Sequence, residues 1–142
     1  MTGQRRLKVN VETVEPNRRR GGDIRITLSP KTVAATSGFG GSLWLEPGER
    51  VNEHYHPYSE EFIHVIAGQV DFYVGDEAVR LGPGDSLMVP IGERHKAVNV
   101  GDERVYMVFH LSPLAPLPAL GHVDLEPPVH VHAPLPSVGG PG

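Results

Sequence analysis

His54 and His56 stand two residues apart, the acidic pair Glu60 and Glu61 follows closely, and a third histidine, His95, lies further along the chain. On a β-strand, side chains at i and i+2 leave the same face, so an extended Val51 to His56 segment would aim two imidazoles at one point. Pro57 and Tyr58 permit a turn, after which a strand starting at Glu61 returns a carboxylate beside the pair. His95 arrives from a separate hairpin, after the Pro90-Ile91-Gly92 bend. Three neutral imidazoles and one carboxylate make a sphere suited to zinc, iron, manganese or nickel, with one or two positions open to substrate or water. The chain contains no cysteine, so thiolate-ligated zinc, iron–sulfur clusters and disulfides are excluded.

Short alternating segments must position these groups. Ile24 to Leu28, Ser42 to Leu45, Val51 to His56, Glu61 to Ala67, Val70 to Val74, Ala78 to Leu81, Ser86 to Val89, His95 to Val100 and Val105 to His110 all read as strands. Between them stand the turn-forming Glu46-Pro47-Gly48, Gly75-Asp76, Gly82-Pro83-Gly84 and Gly101-Asp102. No segment carries a helical period. Many short strands with Gly and Pro turns predict an antiparallel all-β sandwich or barrel.

The chain of 142 residues is long enough for one domain with a real core. Its proposed divisions are an N-terminal basic arm or edge strand over 1–22, a barrel over 23–110, a tail packed on the barrel over 111–126, and a disordered tail over 127–142. Residues 1–31 carry a balance of +5 and the remainder one of −9. That acidic remainder argues against nucleic acid, and the arginine run Arg18 to Arg20 reads first as a solvated loop. No stretch approaches the ~20 apolar residues of a membrane span, and the N-terminus lacks a secretory signal's apolar run, so a cytoplasmic location is expected.

The spacing of these residues resembles the two motifs of the cupin family. Gly48, His54, His56, Glu61 and Gly68 follow the first motif, and Gly84, Pro90, Gly92, His95 and Asn99 follow the second. The resemblance implies a single cupin domain, an antiparallel double-stranded β-helix or jelly-roll barrel. It also selects Glu61 over Glu60 as the carboxylate ligand, because Glu61 keeps the motif's distance to Gly68. His54, His56, Glu61 and His95 are thereby the expected metal ligands, and Glu60 a rim residue.

Segments outside those motifs, among them VEPNRRRGGDIRITLSPKTVAATSGFGG, HYHPYSEEF, MVPIGERH and FHLSPLAP, resemble the small cupin cyclases of aromatic polyketide biosynthesis, the tetracenomycin and resistomycin type. That resemblance implies a metal-dependent enzyme, zinc being the first expectation, that promotes aldol-type closure of a poly-β-ketone chain. Glu60 and His110 are the candidates for proton transfer, with His110 facing inward only if Tyr106 and Val108 do so too. His64 has the opposite parity from Glu61 and reads as structural. Trp44 and Phe39 are candidates for stacking on an aromatic product, and equally for plain core. His122, His130 and His132 lie in the tail, where the second His-x-His lacks the surrounding motif and reads as adventitious. A metal-dependent oxygenase acting on a phenolic or polyketide substrate is the alternative enzyme, and a non-catalytic binding accessory the alternative class. The expected partners are a polyketide intermediate, an acyl carrier protein that Arg18 to Arg20 could receive, and a second copy in a homodimer.

Overall fold

The computed structural model describes residues 5–130 and residue 132. Ten strands form in chain order: β1 (Asp23–Leu28), β2 (Phe39–Leu45), β3 (Arg50–Tyr55), β4 (Glu60–Ala67), β5 (Val70–Val74), β6 (Glu77–Leu81), β7 (Ser86–Val89), β8 (His95–Val98), β9 (Val105–Ser112) and β10 (Val123–Asp124). They make two five-stranded antiparallel sheets in the orders β1-β2-β9-β4-β7 and β10-β3-β8-β5-β6. The predicted all-β jelly roll is therefore the fold observed.

Alternation decides what each strand buries. In β4 the side chains of Ile63 and Val65 are buried whereas Phe62, His64 and Ile66 are exposed. In β9 Val105, Met107 and Leu111 are buried, with the even-numbered residues turned outward. Leu45, Val65, Val70 and Val105 have no exposed surface and fill the closed end between the sheets. Truncating such a residue, Leu45→Ala for example, costs about 2–5 kcal/mol. The register Leu45↔Val105 and Phe39↔Leu111 runs from this packed end to the opposite, open end. Core side chains such as Leu43, Ile63, Ala97 and Met107 form the floor of a cavity there.

Two local features depart from the sequence expectation. Strand β2 begins at Phe39, before Ser42, because Gly40 and Gly41 extend it. A Cβ at Gly41 would strike the Arg25 carbonyl, so β1 can lie against β2 only where the side chain is absent. A one-turn helix, α1 (Pro30–Val33), also forms, with Ser29 and Thr32 capping each other's backbone N–H and Pro30 in its first turn.

The described residues of the arm and of the tail pack on the barrel. In the 1–22 arm Val11–Thr13 forms a 3₁₀ turn, and Asn17 bridges Ile24. The tail returns along β3: β10 pairs with His54 and Tyr55, and Leu125 N–H donates to the Glu53 carbonyl at 3.0 Å. Glu126 accepts from Arg50 Nη2 and from the Glu53 N–H. Although 127–142 is expected to be disordered, Pro127 and Val129 are held here: the Pro127 carbonyl accepts from Asn52 Nδ2 at 2.6 Å, and Val129 N–H donates to the Arg19 carbonyl at 2.8 Å. The rest of that expectation, beyond residue 132, lies outside the described residues.

Candidate metal centre

Four side chains meet at the open end of the barrel. His54 in β3, His56 just beyond it, Glu61 in β4 and His95 opening β8 each bring one ligand-type atom to within 4.8 Å of the others. His54 and His95 are register partners across β3 and β8, their ring centroids 4.4 Å apart. His56 stands edge-on to His54 at 5.0 Å. Glu61 crosses from the other sheet, its Oε1 2.9 Å from His95 Nε2 and 3.4 Å from His56 Nε2.

A bulge in β3 helps build this arrangement. The pairing register shifts between Val51 and His54, so both line the cavity although their odd spacing would put them on opposite faces of a regular strand. The bulge re-aims His54 without losing the core contact of Val51.

Hydrogen bonds behind the rings decide which nitrogen faces the centre. His54 Nδ1 donates to the Asn52 carbonyl at 2.7 Å, His95 Nδ1 to the Glu93 carbonyl at 3.0 Å, and His56 Nδ1 to the Gly121 carbonyl at 3.0 Å. A carbonyl only accepts, so the proton sits on Nδ1 in all three, and a neutral ring turns its Nε2 lone pair to the centre. Metal-ligating histidines are oriented this way, by carbonyls or carboxylates behind them. The donor set of three imidazole nitrogens and a carboxylate fits a divalent cation.

Glu61 and His95 form a charge-assisted pair within the cluster. Burial disfavours the ionised Glu61, yet hydrogen bonds from His56 and His95 overcome it and hold the carboxyl well below the usual carboxylate range. Burial likewise opposes the charged form of His95, but the bond to Glu61 and its negative charge raise the imidazole. His54 is held neutral, lowered first by burial and then by repulsion of its charged form from His95, His56 and Arg20. A cation bound among these groups would take the place of the proton on His95.

The cavity above the cluster has a volume of about 300 Å³, at the lower bound of ordinary small-molecule sites. Its wall is largely apolar, with Ile24, Ile26, Phe39, Leu43, Phe109 and Leu111 among its members. Its mouth is made by the two chain ends, with Asn17 and Arg20 from the arm and Leu114, Pro118 and His122 from the tail.

Several expected roles change with this geometry. His110 has the outward parity of β9 and lies on the outer face beside Phe62, absent from the cavity wall, because Met107, Phe109 and Leu111 take the inward positions. Glu60 shares the parity of the exposed Phe62 and His64 and is also absent from that wall. Neither side chain lines the cavity, so the geometry lends no support to either proton-transfer assignment. His64 faces outward, bonded to Ser86 Oγ at 2.8 Å. Phe39 lines the cavity, but Trp44 stacks outside on Tyr106 at 4.2 Å. The run Arg18 to Arg20 is no uniform solvated patch: Arg18 is exposed beside Asp23 at 3.6 Å, whereas Arg20 is buried and paired with Asp124 at 2.7 Å. His122, read as an adventitious tail residue, lines the mouth. Arg20 and His122 have no spacing signal, because only the docking of the chain ends brings them there.

Comparison with known proteins agrees with the geometry. The Cupin domain family model matches residues 43–111. The polyketide synthase protein CurC of Streptomyces cyaneus is 57% identical over 120 residues, covering 84% of this chain and 78% of that protein. The tetracenomycin polyketide synthase protein TcmJ of Streptomyces glaucescens is 46% identical over 133 residues, covering 94% of this chain and 89% of that one. Among solved structures, a Klebsiella pneumoniae protein with a double-stranded β-helix domain superposes with a TM-score of 0.68 at 20% identity, covering 84% of this chain and 96% of its own. Both motifs, the two-sheet barrel that carries them and these relatives agree that the chain belongs to the cupin family.

Proposed function

We propose that this protein is a metal-dependent cyclase of aromatic polyketide biosynthesis, promoting aldol-type ring closure and loss of water in a poly-β-ketone intermediate. One observation carries the metal dependence: three histidines, each with Nδ1 tied to a carbonyl, turn Nε2 toward one carboxylate. The biosynthetic context is supported by the relatives CurC and TcmJ, whose names place them in polyketide synthases.

Ring closure removes a proton from an α-carbon, joins that carbon to a distant carbonyl carbon, and then expels water. A divalent cation held by His54, His56, Glu61 and His95, with zinc as first choice and iron, manganese or nickel as alternatives, would supply Lewis-acid stabilisation of developing negative charge on oxygen. The apolar wall excludes water and restricts a flexible chain to few folded conformers, which lowers the entropic part of the barrier. Phe39 and Phe109 offer flat surfaces to a ring as it forms. Outside the cluster, His122 is the uncharged titratable side chain on the wall, and it serves as proton carrier in this reading.

The test is a reconstituted polyketide synthase run with and without the metal-loaded protein. A change in the cyclised product distribution that disappears in the His95→Ala variant is expected. An unchanged distribution overturns the cyclase reading in favour of a binding accessory. Stoichiometric oxygen uptake with iron bound overturns it in favour of an oxygenase.

A further inference from the structure

Arg20 is a charged residue in a place where the apolar wall gives charge little support. The arm reaches it through a tight approach to β3. The Asn52 N–H donates to the Arg20 carbonyl at 2.9 Å, and the next residue, Gly21, has φ +106° where a Cβ would strike the Arg50 carbonyl. This fixes the backbone beneath a side chain that lines the same cavity as the histidine cluster. The residue is only 9% exposed.

Its guanidinium is half satisfied. Nε donates to Asp124 Oδ1 at 2.7 Å, while Nη2, also buried, has no hydrogen-bond partner among the described residues. Such a donor is costly to leave unpaired, and native structures seldom do so without a reason. Asp124 is itself partly open to solvent, its side chain 30% exposed, so it answers the charge from one side only. The positive field of Arg20 reaches His54, His95 and His122, so the guanidinium and the metal cluster act on the same enclosed volume.

We propose that Arg20 is the anion-recognition group of the cavity, with its guanidinium donating to a ligand oxygen that bears full or delocalised negative charge. The chemistry that fits is an apolar, aromatic-sized body carrying either the enolate of a 1,3-dicarbonyl or a carboxylate. A planar donor bearing fixed charge suits both, since each offers a planar, delocalised pair of oxygens. The subsite stands on the geometry of Arg20; naming the dicarbonyl enolate as the natural ligand rests on the cyclase reading. In that reading the cavity holds the chain at two oxygens, one at the metal cluster and one at Arg20, and the distance between them selects which carbonyl is left to react.

Binding of three related compounds to the full-length, metal-stripped protein, measured by calorimetry, tests this. They are 1-phenylbutane-1,3-dione, 3-phenylpropionate and the neutral 4-phenylbutan-2-one. The wild type should bind the dicarbonyl and the carboxylate at least about tenfold more tightly than the neutral ketone, the scale of one charge-assisted hydrogen bond. In Arg20→Met this preference should vanish while ketone affinity stays within about twofold, and Arg20→Lys should retain part of it. Asp124→Asn removes the ion pair but keeps the guanidinium, so anion binding should persist or strengthen. That variant also separates recognition from tail docking should Arg20→Met fail to fold. Undiminished anion preference in Arg20→Met, loss of all three ligands together in a folded Arg20→Met, or loss of anion preference in a folded Asp124→Asn overturns the proposal. Preference for the carboxylate without the dicarbonyl upholds the Arg20 subsite and overturns the enolate assignment alone. A cyclase assay that fails while both anions still depend on Arg20 tells against the proposed function and leaves the subsite standing.

Discussion

The His56 imidazole is oriented by the carbonyl of Gly121, 3.0 Å from Nδ1 and 65 residues further along the chain. The equivalent carbonyls behind His54 and His95 come from residues two positions back. One ligand of the cluster therefore depends on the docked tail, while two are set by their own strands. Removing residues 113–142 should weaken metal affinity by about 10–100-fold, the usual effect of losing a group that orients a ligand. Metal titration of the truncated protein measures it. Unaltered affinity in a folded truncation would show that the Gly121 contact orients nothing.

Strand parity separates neighbours that composition treats as equivalent. Glu61→Ala and His95→Ala should each lose bound metal, whereas Glu60→Ala and His110→Ala should keep full stoichiometry, since neither side chain lines the cavity. Elemental analysis of the four purified variants decides this. Full occupancy in His95→Ala would remove the basis for the four-residue site.

The difference between what was legible and what was not follows from the range of the interactions. His54, His56 and Glu61 are readable because a turn and the two-residue period of a strand place them; alternation admits only one of Glu60 and Glu61, and the resemblance to the cupin motif selects Glu61 by its distance to Gly68. His95 needs only a hairpin. His122 and Arg20 depend on a proline-rich tail and an irregular arm docking at the mouth, and neither segment carries a period to interpret. The bulge that turns His54 inward beside Val51 is similarly silent in the sequence. Helix α1 was legible in principle, since Ser29-Pro30-Lys31-Thr32 offers an N-cap, a first-turn proline and a reciprocal cap, but one turn is too short for periodicity to register.

Metal binding should release a proton. In the metal-free protein the Glu61 carboxylate raises His95 above its ordinary ~6.5, and that imidazole must lose its Nε2 proton to ligate. The protonated pair stabilises the metal-free fold fully below the unfolded value of ~6.5, and that contribution fades as pH rises through the raised folded value. Apparent metal affinity has the opposite trend, falling as pH drops through the same range. Calorimetry at about pH 6 in buffers of different ionisation enthalpy should reveal about one proton released per metal, with less release at about pH 8. Release that is absent at the lower pH would contradict a protonated His95.

His122 should make the metal-free protein sensitive to mild acid. Burial lowers its pKa to about 4, aided by the charge of Arg20 and opposed by Asp124. An unfolded chain takes up a proton on this residue near pH ~6.5 that the folded chain does not accept until far lower. The stabilising contribution is therefore present above about pH 6.5 and is lost as pH falls through about 4. Discounted for partial exposure, it is on the order of 2 kcal/mol. Urea unfolding of metal-free wild type and His122→Gln at about pH 7 and pH 4.5 isolates this residue from the other histidines, because their contributions are common to both proteins. The wild type should lose more stability between the two pH values than the variant. Parallel losses would mean that His122 is not buried against the cavity mouth, and would remove it as the proton carrier.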